Sequence, residues 1–106
     1  MSPRDPISAI FYGVAAYAAY VERDYAEAIR LSRESVRLRS DFVGGYRVLV
    51  AAAGMADDQE LARTMLPELR RVHPEVSLEW VAQQLPLPLV EEREHFLEGL
   101  RRAGLE

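Results

Sequence analysis

Asp24-Tyr25-Ala26-Glu27-Ala28-Ile29 opens an Arg- and Leu-rich stretch that runs to Ser40. An aspartate ahead of Ala, Glu and regularly spaced apolar residues reads as an N-cap and the first turn of a helix. A weaker copy begins at Asp58, as Asp58-Gln59-Glu60-Leu61-Ala62-Arg63. Ala28 and Ala62 stand 34 residues apart. A fixed interval of that length predicts repeated helix pairs, each too small to bury its apolar face alone.

At the same interval other positions fall into register. Pro6, Ser40 and Pro74 close successive units, Tyr12, Tyr46 and Trp80 supply an aromatic in each first helix, and Ala28, Ala62 and Phe96 occupy one site in each second helix. A closing proline stops a helix and sets the next turn. The aromatic fills the space between the two helices of a pair. Alanine lets those helices approach, where a larger side chain would overpack at about 1–3 kcal/mol. Phe96 in the third copy therefore marks a degenerate pair.

Six helices follow from caps and periodicity. Pro3 and Pro6 predict extended chain, with Ser8 capping a first helix to Val21 that is apolar nearly all round. Asp24 caps a second helix ending near Arg39-Ser40, and Asp41 a third, to Met55. The fourth runs from Asp58 to Val72, with a bend or weakening expected at Pro67. Ser77 caps a fifth to Leu85. Pro86-Leu87-Pro88 predicts an extended connection, and a sixth helix spans Val90 to Ala103, with Gly104 as its C′ residue.

The aligned positions resemble the tetratricopeptide repeat family, whose period is 34 residues. The resemblance covers 9–42 and 43–76 as two repeats, with 77–106 as a decayed third and 1–8 as the tail of an upstream one. It departs at Val50, where Ala16 shows the usual small residue, and at Ser40, where a proline is usual. It implies an all-α fold of antiparallel helix pairs in a right-handed solenoid, ended by a capping pair. A narrower resemblance rests on Ser2-Pro3-Arg4-Asp5-Pro6, Tyr46-Arg47-Val48-Leu49, Ser77-Leu78, Leu85-Pro86 and Phe96-Leu97-Glu98-Gly99-Leu100-Arg101-Arg102-Ala103-Gly104-Leu105. These look like the C-terminal end of bacterial signalling proteins in which such repeats follow a class III adenylate/guanylate cyclase or a DNA-binding regulator domain. Leu87-Pro88-Leu89 departs from the charged segment expected there. The resemblance implies an excised C-terminal segment, and Leu105-Glu106 reads as a cloning scar.

Composition bounds the function. In 106 residues there is room for one small domain. The absence of cysteine excludes disulfides, thiolate metal sites and a Cys nucleophile, and fits a cytoplasmic setting. A net charge of −4, with arginine as the only basic side chain besides histidine, gives no general attraction to nucleic acid. The longest apolar run, Ala9 to Val21, is too short to span a bilayer.

The resemblance places a peptide groove on the first helix of each pair. Tyr17, Tyr20, Arg47, Ala51 and Met55 stand at groove positions, with two amphipathic rings and one fork donor to grip a peptide. The alternative is that the tyrosines pack on a neighbouring repeat. The packing residues are Tyr12, Ala16, Ala28, Tyr46, Ala62 and Trp80. Arg30, Arg33 and Arg37 could form a phosphate patch, but interleaved Glu27 and Glu34 favour a solvated, ion-paired face. Glu92-x-x-His95 has the spacing of half a di-metal site, without the further ligands. No catalytic constellation, cofactor motif or metal site is expected. The expected function is a non-enzymatic protein-interaction scaffold, with homodimerisation of a parent enzyme or regulator through the apolar helix as the alternative.

Overall fold

A computed structural model describes residues 6–84 and 90–106. Among them the chain is all-α: α1 (Pro6–Val21), α2 (Tyr25–Leu38), α3 (Val43–Met55), α4 (Gln59–Val72), α5 (Leu78–Gln84) and α6 (Val90–Arg102). The expected Pro86-Leu87-Pro88 connection and the first five residues lie outside the described part.

The α1–α2 and α3–α4 turns are built alike. Arg23 and Asp57 both take a left-handed backbone, with φ of 66° and 57°. The N–H of Asp24 donates to the Ala19 carbonyl, and that of Asp58 to the Ala53 carbonyl, each at 2.9 Å. These bonds satisfy carbonyls that the helix end would otherwise leave unpaired. Each aspartate then caps the next helix by accepting from Glu27 N or Leu61 N. Connections this short fold the helices back on each other. The α2 and α4 ends also match: Arg39 N–H donates to Ser35 O and His73 N–H to Leu69 O, and both residues leave the helix with φ near −145°.

Several local expectations are corrected. Pro6 is the first residue of α1, a position that suits its fixed φ and missing N–H, and Ser8 is buried inside the helix instead of capping it. Asp41 does not cap α3: Phe42 holds that place without a side-chain bond, and Asp41 pairs with Arg39 at 3.1 Å. Helix α4 is unbroken through Pro67. The proline lies on the exposed face while Leu66 and Leu69 are buried on the other, so packing holds the turn. At the C-terminal side of α6, Leu105 is buried, its N–H donates to Leu100 O, and the Glu106 carbonyl accepts from Leu78 N.

Helix α2 shows how composition sets packing. Its buried face is small: Ala28, Ser32 and Ser35. Ser32 returns its hydroxyl to Ala28 O at 2.6 Å, and Ser35 donates to Ala9 O of α1 at 2.7 Å. Small side chains whose hydroxyls are satisfied let α1, α2 and α3 come close without an orphaned polar group. The outer face carries the Glu27–Arg30 and Glu34–Arg37 pairs, which are exposed and screened by solvent and so add little to stability. Tyr46 is buried with its hydroxyl donating to Ser40 O at 2.9 Å. Ala16, Ala28 and Ala62 are buried too, whereas Tyr12 is half-buried and Trp80 lies edge-on to His73 at 4.3 Å.

The last two helices do not repeat this plan. Ser77 caps α5 by accepting from Trp80 N, but α6 lies chiefly on α3, with only a slight contact to α5. Two glycines permit it. A Cβ on Gly54 of α3 would lie 2.0 Å from Gly99 O, and one on Gly99 of α6 would lie 2.6 Å from Ala51 O. The two backbones touch where any side chain would hold them apart.

Candidate surface on the first and third helices

The expected groove is largely filled by α6. Tyr20 is 1 % exposed. Its ring stacks on His95 with centroids 4.4 Å apart, and its hydroxyl donates to the His95 carbonyl at 2.6 Å. Ala51 is fully buried against Gly99. Tyr20 and Ala51 are thus core residues, and the neighbour covering them is the chain's own C-terminal helix. Tyr17 is half-buried, edge-on to Phe96 at 5.8 Å, with its hydroxyl donating to Glu92 Oε1 at 2.5 Å. Met55 is half-buried at the edge of the core.

The electrostatics follow from this covering. Burial, then the Glu92 carboxylate, push the Tyr17 phenol well above its ordinary pKa. Burial, then Tyr25, do the same for Tyr20. His95 is held below the usual histidine value by burial and by Arg23, and its Nε2 is hydrogen-bonded to Tyr25 OH at 2.8 Å. Neutral phenols and a neutral imidazole make a structural network. Glu92 and His95, one turn apart on α6, go to different tyrosines.

Beside this network a pocket of about 230 Å³ stays open between α1, α3 and α6. Gly13, Val14, Tyr17, Phe42, Gly44, Arg47, Val48 and Phe96 line it. Arg47 is the one charged side chain in that lining. Burial lowers its pKa, and its guanidinium lies 5.8 Å from the Trp80 ring centre. A second recess, around Val14, Tyr17, Ala18, Val21, Glu22 and Glu92, shares Val14 and Tyr17 with the first.

The surface is completed by a side of α1 that sequence reasoning treated only as a general excess of apolar residues. Ile7, Ile10, Phe11, Val14 and Val21 are exposed, Phe11 at 56 % and Val14 at 63 %. Phe11, Val14, Ala18 and Val21 follow a 3-4-3 spacing, which sets them in one line along the helix. Ala9, Ala16, Ala19 and Tyr20 occupy the opposite side and are buried. That spacing was visible in the sequence, but its exposure depended on which side α2 and α3 would cover.

Comparison with family models, with curated proteins and with solved structures found no match for the chain. Among the described residues no helix is long and apolar enough to cross a membrane.

Proposed function

We propose that this chain is a non-enzymatic protein-interaction module. Its partner docks on α1, through the exposed Phe11–Val14–Val21 line and the pocket that shares Val14. The observation that carries this is the continuity of the two: large apolar side chains stay in water directly beside an apolar recess. Surfaces of this kind are uncommon in monomers without a binding role. The recess is small beside the usual volumes of small-molecule sites and suits a single anchoring side chain.

The module is an array of helix pairs akin to tetratricopeptide repeats, with α5 and α6 as a folded-back cap. The hydrogen bonds that recur at 34 residues in both kinds of turn support the array. The covering of Ala51 and Tyr20 by α6 supports the cap, since terminal units need a closing face. A cytoplasmic place is supported by the absence of cysteine, and a position at the C-terminal end of a bacterial signalling protein by the resemblance alone.

Selection of peptides from a display library on the wild-type chain tests this. Ligands should be amphipathic, with a bulky apolar anchor, and should lose at least tenfold in affinity to the Val14→Arg variant. A library that yields no ligand sensitive to Val14→Arg overturns the proposal.

A further inference from the structure

We infer that α1 pairs with α1 of a second copy of this chain, antiparallel, about a twofold axis near Val14. This rests on the reading of α1 as a docking surface and names its occupant.

Size, charge and the internal 34-residue spacing all bear on the occupant. Residues 34 after Phe11, Val14 and Ala18 are Gly45, Val48 and Ala52. All three are buried, and a Cβ on Gly45 would lie 2.9 Å from Ser35 Oγ and 3.0 Å from Val36 Cγ1 of α2. A helix shaped like α2 therefore takes a glycine at this place and has no room for Phe11. End-to-end stacking of copies in the manner of α3 on α2 is excluded on that ground. The far end offers no free face either, because Leu66 and Leu69 of α4 are already buried.

An antiparallel pair of α1 helices does have room. The line is bulky in its first half, at Ile7, Ile10 and Phe11, and small in its second, at Ala15, Ala18 and Val21. Reversing one copy sets the bulky half of each helix against the small half of the other. A parallel pair would oppose Phe11 to Phe11 and alanine to alanine, leaving a clash beside a void.

Charge gives the same direction. Helix α1 has no acidic residue in its first turn and no basic residue in its last. Every other helix here except the buried α3 has an acid at its start. An antiparallel copy brings a helix C-terminus beside each α1 N-terminus, so that the two helix dipoles offset one another. No charged side chain lies within the helix to repel a copy. The contact is one helix wide and so smaller than the roughly 800 Å² a side of a standard interface, which makes the dimer a weak one.

Sedimentation equilibrium of the whole chain up to about 1 mM should show a monomer–dimer equilibrium, a range suited to weak association. Val14→Arg should leave a monomer with unchanged circular dichroism. With no native cysteine, single thiols report orientation. Val14→Cys should crosslink to itself through a bis-maleimide of about 8 Å span, since residues near the axis meet their own copies. Mixed Ile7→Cys and Val21→Cys chains should crosslink to each other and not to themselves, their like ends being on the order of 15–25 Å apart at 1.5 Å per residue. Self-crosslinks at both ends would mean a parallel pair and overturn the inference, as would a monomer at every concentration. A monomer that still binds selected peptides in a Val14-dependent way overturns the dimer and leaves the interaction module standing. A monomer without such ligands overturns both.

Discussion

Gly99 shows how much one missing methyl decides. A Cβ there would lie 2.3 Å from the Tyr20 hydroxyl and 2.6 Å from the Ala51 carbonyl, both held in a packed core. Gly99→Ala should therefore lower stability by at least the roughly 1–3 kcal/mol of an overpacked site, read by urea unfolding. Gly44→Ala meets only the Phe42 ring, at 3.1 Å, and should lose less. Equal losses would contradict the α3–α6 contact. His95 adds a pH dependence at the same place. Burial and Arg23 hold its folded pKa below 6.5, so between the two values the unfolded chain binds more protons than the folded one. The His95 contribution is complete above pH 6.5 and declines as pH falls through the folded value. Unfolding midpoints should drop as pH falls below about 6.5, and His95→Gln should flatten that slope. A slope untouched by His95→Gln would contradict it. At this scale the sequence was partly legible. The Asp24, Asp58 and Ser77 caps follow from side-chain chemistry three residues ahead of their targets. Asp41 and Ser8 have the same chemistry and do not cap, because Arg39 takes one and the helix starting at Pro6 encloses the other.

At the scale of the helix, small residues set which faces meet. Ala28 is fully buried in α2 and Ala26 is exposed two residues earlier. Ala28→Leu should lose about 1–3 kcal/mol while Ala26→Leu stays near wild type, by thermal or urea unfolding. Equal midpoints would contradict the packing of α2. The two N-caps should behave as a matched pair. Asp24→Ala and Asp58→Ala should each lose about 1 kcal/mol, since each removes one bond to a backbone N–H in the same turn. The helices themselves were legible because period and caps are local signals. Pro67 was misjudged for the same reason: a local rule predicted weakening, and the burial of Leu66 and Leu69 overrode it.

At the scale of the molecule, the order of helices was legible and their final arrangement was not. Phe96, standing where Ala28 and Ala62 stand in their units, signalled that the third pair departs from the plan, without showing where α6 would go. Glycines inside both α3 and α6 were the available hint, since helix interiors disfavour glycine unless a backbone must come close. The consequence is large. Tyr20 and Ala51 pass from surface to core, and the open surface moves to the Phe11–Val14–Val21 side of α1 and the recess beside Arg47. The most direct test of that assignment is a paired measurement on Val14→Arg, thermal unfolding together with binding of peptides selected on the wild-type chain. A docking surface predicts a melting temperature within a few degrees of wild type and binding weakened at least tenfold. A melting temperature lower by ten degrees or so, or undiminished binding, would contradict it.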